Sequence, residues 1–242
     1  MKIVLENIHK SYGKRVIVNR VSLSVAQGEI VGLLGPNGAG KTTTFYIATG
    51  LEKPNQGRVW LDSLDITGLP MHKRARLGIG YLAQEASVFR QLSVQDNILL
   101  VFEQTNVPRR EWSKRLHTLL REFRLEKVAR SKGIQLSGGE RRRTELARAI
   151  AAGREGPKFL LLDEPFAGVD PIAVFEIQQI IAQLRDRGMG ILITDHNVRE
   201  TLAITERAYI LREGQILAYG NTEELYNNPL VRQYYLGDNF QL

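Results

Sequence analysis

The segment Gly35-Pro36-Asn37-Gly38-Ala39-Gly40-Lys41-Thr42 leaves the chain few architectures to choose from, because it fits the phosphate-cradling pattern G-x-x-x-x-G-K-[ST]. That pattern works only between a strand and a helix. Before it, Glu29-Ile-Val-Gly-Leu-Leu34 is a short apolar run that reads as a buried strand; after it, Lys41-Thr-Thr-Thr-Phe-Tyr-Ile-Ala-Thr49 continues as a helix. The glycines let the backbone turn tightly and approach a pyrophosphate with no Cβ in the way. Successive loop amides then point inward, and the following helix adds the positive end of its dipole. Lys41 supplies a point charge for the β- and γ-phosphates, and the Thr42 hydroxyl can ligate Mg²⁺, with Thr43 beside it in the first helical turn.

Composition narrows the setting. The chain has 242 residues, enough for a substantial core, and no cysteine, which excludes disulfides and thiolate metal sites. Lys and Arg outnumber Asp and Glu by 33 to 26, a basic balance that favours polyphosphate ligands, an anionic membrane surface or nucleic acid without choosing among them. No apolar run approaches the roughly 18–20 residues of a membrane-spanning helix, and the N-terminus has no signal-peptide core. The expectation is a soluble, cytoplasmic chain that does any membrane work through a partner.

Residues 2–8 and 16–25 read as strands, the second with the period-two alternation of a half-buried antiparallel strand in Val21-Ser-Leu-Ser-Val25. Tyr12, before the turn at Gly13, either stacks on an adenine ring or simply packs. Residues 58–62 and 80–82 read as further strands, with a short basic helix at 70–77 between them. Gln84 stands at a strand end, where a polar side chain meets a ligand or merely ends a loop. Ser93-x-x-Asp96 starts a helix, and residues 108–123 carry apolar positions at helical spacing. In Leu136-Ser137-Gly138-Gly139-Glu140, Ser137 and Glu140 make a capping box; the two glycines, which a cap does not require, also suit anion binding at a helix tip. The following Arg141-Arg-Arg143 could serve that anion site or equally be a solvated face, and is not assigned to catalysis. Phe159-Leu-Leu-Leu-Asp163-Glu164 is a buried parallel strand ending in two acids: Asp163 suits Mg²⁺, and Glu164 suits a base or water-positioning group. Asp170 caps a helix with Pro171 at its first position. Gly190–Thr194 is another buried strand, and His196 just past it is either structural or a γ-phosphate contact. Residues 208–219 form a hairpin turning at Glu213-Gly214, and two short helices follow.

In this order and at this spacing, the phosphate loop, Gln84, Leu136–Glu140, Leu160–Glu164, Asp170 and His196 resemble the ATP-binding-cassette (ABC) ATPases over essentially the whole chain. Within that family the chain is most similar to ATPases of lipopolysaccharide exporters, on the strength of Gln84-Glu-Ala-Ser, Phe89-Arg90, Ser137–Arg143, Pro165–Pro171, Thr194–Glu200 and the ending Tyr235–Phe240. It departs in having Ala83 before Gln84 where proline is common, a longer Gly153–Lys158 loop, expected to matter little, and Ala-Gly-Val-Asp170 where many relatives have Ala-Leu-Asp.

The resemblance implies an α/β fold: a P-loop NTPase core with a mainly parallel sheet, an antiparallel β-subdomain and an inserted helical subdomain. One domain would span 1–242, with 1–84 and 159–242 as core and 85–158 as the helical part. It implies ATP and Mg²⁺ as ligands, with Thr42, Gln84 and Asp163 around the metal, Glu164, His196 and Gln84 in catalysis, and Tyr12 on the base. Ser137, Gly138 and Gly139 would complete the site of a second copy in a head-to-tail homodimer. Phe89 and Arg90 are expected either to line a groove for a helix of one of two integral inner-membrane subunits or to form a plain turn. The function implied is an ATP-hydrolysing motor for lipopolysaccharide extraction, peripheral on the cytoplasmic face of the inner membrane. The alternatives are another transporter ATPase, such as that of a branched-chain amino-acid importer, and an ABC protein acting on nucleic acid or ribosomes. The last usually carries a coiled coil or second cassette, so nucleic acid is not an expected partner.

Overall fold

Five apolar runs of four to six residues, each ending in a glycine loop or a polar pair, form the parallel strands of one sheet. The computed structural model describes residues 1–237 and 240; Asp238 and Asn239 of the C-terminal signature, and the last two residues, lie outside the described residues. The chain opens with the hairpin β1 (Lys2–Tyr12) and β2 (Arg15–Ala26), followed by β3 (Ile30–Leu34), α1 (Lys41–Thr49), β4 (Gln56–Leu61), β5 (Leu64–Asp65), α2 (Met71–Arg76) and β6 (Ile79–Leu82). Three helices come next, α3 (Val94–Gln104), α4 (Arg109–Glu122) and α5 (Gly138–Ala151). Then follow β7 (Phe159–Asp163), α6 (Pro171–Asp186), β8 (Gly190–Thr194), α7 (Val198–Leu202), β9 (Arg207–Arg212), β10 (Gln215–Gly220), α8 (Thr222–Asn227) and α9 (Pro229–Val231).

Two sheets result. One is antiparallel in the order β2-β1-β4-β5; the other runs β10-β9-β3-β8-β7-β6, parallel except for the edge strand β10. Strands β3, β7 and β8 are buried on both faces, which is why they lack alternation. One apolar cluster joins one face of the parallel sheet to α3–α6, another joins the opposite face to α1 and the antiparallel sheet, and a third packs α8 and α9 on β9.

Several sequence expectations needed adjusting. The first two strands are longer than read, so Lys10–Tyr12 belongs to β1 and only Gly13-Lys14 turns. Helix α7 had no signal in the reading. The solvated-face alternative for Arg141–Arg143 fails for two of the three: Arg142 is 5% exposed and Arg143 8%. Arg143 reaches Glu176 on α6 and the Phe123 carbonyl, while Arg142 turns toward the strand ends. Arg74 of the basic helix α2 is buried as well, donating to the carbonyls of Ile47, Ala48 and Leu69. Burial holds its guanidinium down at about 10. Each inward arginine finds free helix-end or loop carbonyls, which is what makes a buried cation tolerable.

Candidate nucleotide site

The order β3-β8-β7-β6 decides what meets what. Adjacent strands lie about 4.8 Å apart, and ligands of open α/β sheets bind beyond the carboxyl ends of the strands. Past those ends stand, side by side, the glycine loop after β3, Asp195 and His196 after β8, Asp163 and Glu164 at β7, and Gln84 after β6. Residues up to 161 positions apart in sequence, from Gly35 to His196, thus form one row.

Within the row, Glu164 is the meeting point. Its Oε2 accepts from Gln84 Nε2 at 3.0 Å and its Oε1 pairs with His196 Nε2 at 2.7 Å. The backbone of Glu164 has φ +49°, a left-handed conformation that costs a non-glycine residue about 1 kcal/mol or more. Neighbours hold it there: its amide donates to Thr194 O at 2.7 Å and its carbonyl accepts from Arg142 at 2.8 Å. Asp195, almost fully buried, accepts from the amides of Phe166 and Asn197 and so ties the Glu164 turn to the His196 turn.

Asp163 is 1% exposed, and its Oδ2 has no hydrogen-bond partner. Burial first, and then the Glu164 charge, pushes its carboxyl up to about 6. An orphaned buried carboxylate oxygen at a strand end, with the exposed Thr42 in the first turn of α1, is a donor set suited to a hard divalent cation. The residues present fit Mg²⁺.

The glycines divide their work differently from the reading. A Cβ on Gly35 would lie 2.1 Å from Leu211 O, and one on Gly40 2.6 Å from Ile17 O. Those two are bare because the protein's own backbone is there. Gly38, at φ +78° with open space, is the one facing outward. The Lys41 ammonium donates to the carbonyls of Gly35 and Pro36 at 2.7 and 3.0 Å, and burial lowers its pKa. Tyr235 supports the loop from behind, its hydroxyl in hydrogen-bond contact with the Gly35 backbone.

Tyr12 is half exposed at the end of β1, its hydroxyl donating to Glu52 at 3.0 Å, with Lys10 over its ring at 5.1 Å. Ser137 caps α5, accepting from the Glu140 amide at 3.3 Å while Glu140 accepts from the Ser137 amide at 2.9 Å. Gly138 and Gly139 sit against the Gly168 carbonyl and Ala173, where a side chain on Gly139 would meet the Ala173 methyl at 2.5 Å.

Arg142 is the functional residue the sequence reading missed. It donates to the carbonyls of Ala83, Asp163, Glu164 and Pro165 and pairs with Glu145 at 3.1 Å. Glu145 in turn accepts from the amides of Ser87 and Val88, and Arg148 donates to Ser87 O while lying 4.7 Å over the Phe89 ring. Three residues at helical spacing on α5 therefore hold the whole 83–89 loop and the carboxylate turn. Only their i, i+3, i+6 spacing was there to be noticed, and a solvated face has the same spacing. A groove of about 950 Å³ runs between α2 and β6 on one side and α5 with the 152–158 loop on the other. Arg148 lines it and lies over the Phe89 ring, but Phe89 and Arg90, both exposed, are not themselves among the residues that line it. The longer Gly153–Lys158 loop forms one wall.

Comparison with known proteins decides the family. Residues 18–167 match the ABC transporter family. The chain belongs to that family. It is an ABC-type ATPase, in keeping with the row of residues above. It is 57% identical to the lipopolysaccharide export system ATP-binding protein LptB of Acidithiobacillus ferridurans, over 98% of this chain and 97% of that one. It is 54% identical to the protein of the same name from Escherichia coli, over 98% of each. Among solved structures it resembles the ADP conformation of MJ1267, an ATP-binding cassette of an ABC transporter, with TM-score 0.86 and 27% identity over 98% of this chain and all of that one. It also resembles the dimeric ABC transporter cassette MJ0796, with TM-score 0.79 and 27% identity over 90% and 98%.

Proposed function

We propose that this cassette is the motor subunit of a lipopolysaccharide exporter, working as a head-to-tail homodimer beneath two integral inner-membrane subunits. The observation that carries this reading is identity above 50% with LptB-named proteins across nearly the full length of both chains. No helix among the described residues is long and apolar enough to cross a membrane.

In this reading Lys41 leaves the Gly35 and Pro36 carbonyls for the β- and γ-phosphates, and Gly38 presents bare backbone to them. Tyr12 offers the base the ring face opposite Lys10. Thr42, Asp163 and Gln84 would hold Mg²⁺, which when bound supplies positive charge against the phosphate oxygens. Glu164 accepts a proton from the attacking water as its oxygen bonds to the γ-phosphorus and the bond to the ADP oxygen breaks. Gln84 and His196, both already on the Glu164 carboxylate, orient it, and His196 lies where a γ-phosphate oxygen can accept from its imidazole. The α5 tip, with Ser137 and Gly138 exposed and Gly139 packed on Ala173, supplies donors to the γ-phosphate of a second copy. Ile172 and Phe175, 77% and 59% exposed beside that tip, are the apolar surface a second copy would cover. Closure is favoured only while a γ-phosphate bridges the two copies, so hydrolysis releases it.

The loop held by α5 supports a route outward. Movement at Gln84 or Glu164 is transmitted through Arg142 and Glu145 to Ser87 and Phe89, beside the groove proposed for a membrane subunit's cytoplasmic helix. Purifying the native complex and assaying ATP-driven lipopolysaccharide release from vesicles tests the reading: release that stops with Glu164→Gln supports it, and a complex that hydrolyses ATP but moves another solute refutes it. Phe89→Ala is expected to leave the isolated chain's ATPase rate within twofold while cutting recovery of the membrane subunits.

A further inference from the structure

The positive charge of this chain is not spread over it. Residues 85–158 contain 16 Lys and Arg against 9 Asp and Glu, a net +7, while the remainder is balanced at 17 of each. All of the molecule's excess thus sits on the helical segment between β6 and β7. Part of it is buried and matched to carbonyls, as for Arg142 and Arg143. Another part lines up on α4. At 3.6 residues per turn, Arg110, Lys114, His117 and Arg121 fall within about 60° of one another, opposite the apolar face formed by Trp112, Leu116, Leu119, Leu120 and Phe123.

That basic face borders a recess of about 390 Å³ between α4 and the end of α6, lined by Lys114, His117, Thr118 and Arg121 from α4 and by Gln183 and Arg187 from α6. Glu122 is the one acid in its wall, and it is committed: its side chain is 6% exposed and accepts from Arg187 at 2.8 Å. Arg121 is 80% exposed and its only ion pair among the described residues is a long one, 3.9 Å to Glu126. Lys114 has no ion pair among the described residues. Lys114 and Arg121 therefore stand around one small concavity beside Arg187, whose charge Glu122 meets, together with an imidazole and an amide that can donate; the Thr118 hydroxyl is committed to the Lys114 carbonyl at 3.0 Å. Like charges gathered in this way repel, and an anion bound among them converts the repulsion to attraction.

We propose that this recess is a binding site for a phosphate-bearing anion, separate from the nucleotide site. Its size suits one phosphate group with a small substituent and leaves no track for an extended polyanion. It lies remote from the hydrolytic row: Asp170 caps the near end of α6 and Arg187 ends it 17 residues later, about 25 Å along the helix axis. The recess also straddles two parts of the molecule, α4 of the helical segment and α6 beside the parallel sheet. A phosphate bridging Lys114 and Arg121 to Arg187 would fasten one to the other. Free phosphate and the headgroup of an anionic phospholipid share this chemistry.

The experiment uses the full chain carrying Lys41→Ala, which weakens the phosphate loop as a competing site, with and without Lys114→Gln and Arg121→Gln. Both added positions are exposed on α4, and unchanged circular dichroism and melting temperature verify the fold. Inorganic phosphate is titrated calorimetrically, and wild-type and Lys114→Gln/Arg121→Gln chains are sedimented with phosphatidylglycerol or phosphatidylcholine vesicles. Phosphate binding by the Lys41→Ala chain that weakens at least tenfold with the two α4 substitutions supports a site for the free anion. Absence of that binding, with sedimentation on phosphatidylglycerol alone that the α4 substitutions abolish, supports a headgroup site. Binding to neither probe, or binding that the α4 substitutions leave unchanged, overturns the proposal.

Discussion

The Asp163 carboxyl lies at the end of an apolar strand with one oxygen unpartnered, and its pKa is raised to about 6 by burial and by Glu164. The ordinary value is 3.8, so the folded chain binds this proton more tightly than the unfolded chain does. Stability contributed by Asp163 is therefore complete below pH ~4 and falls as pH rises toward about 6, after which the charged form carries the full penalty. Asp163→Asn is expected to raise the melting temperature at pH 7 by a few degrees, about 1–3 kcal/mol, with the difference from wild type vanishing below pH ~4, while Mg²⁺-dependent ATPase activity is lost. Thermal melts from pH 4 to 8 read this directly; a lower melting temperature for the variant at pH 7 would contradict it. Arg142 has the opposite balance. Arg142→Gln leaves Glu145 buried without its cation and strips donors from several carbonyls, so a loss of about 3–5 kcal/mol is expected. With the loop around Gln84 and Glu164 loosened, kcat should fall more than tenfold while ATP affinity changes little.

At the scale of elements, the glycine loop shows what was legible in the residues and what was not. Its position between β3 and α1 was readable because G-x-x-x-x-G-K-[ST] is a local pattern, and so were the Ser93 and Asp170 caps, which depend on neighbours three residues away. What was hidden lies between elements. Nothing near Gly35 in sequence announces that Leu211 O occupies its Cβ position, and nothing near Arg142 announces the carbonyls of residues 83 and 163–165. A cation on a polar helix reads as solvated until the fold brings unpaired carbonyls to it. The glycines give a test at this scale. Gly38→Ala, with space but positive φ, should cost about 1 kcal/mol of stability and still weaken ATP binding. Gly35→Ala must displace β9 and should lower the melting temperature more than twice as far. Equal melting shifts for the two would mean that β9 does not brace the loop.

Across the whole molecule, one helix faces three ways. The tip of α5 is the Ser137-Gly138-Gly139 cap, exposed at Ser137 and Gly138, its second turn grips the site through Arg142 and Glu145, and its third turn touches the groove through Arg148. A second copy docked on the tip would thereby act on the first copy's own carboxylate turn and on its groove. The most direct measurement is the mass in solution of Glu164→Gln with Mg-ATP, alone and combined with Ser137→Arg, by light scattering. The expected result is an ATP-dependent dimer for Glu164→Gln and a monomer that still binds ATP for the combined variant. A Glu164→Gln chain that stays monomeric when saturated with ATP, or a dimer indifferent to Ser137→Arg, would contradict a γ-phosphate shared between two copies.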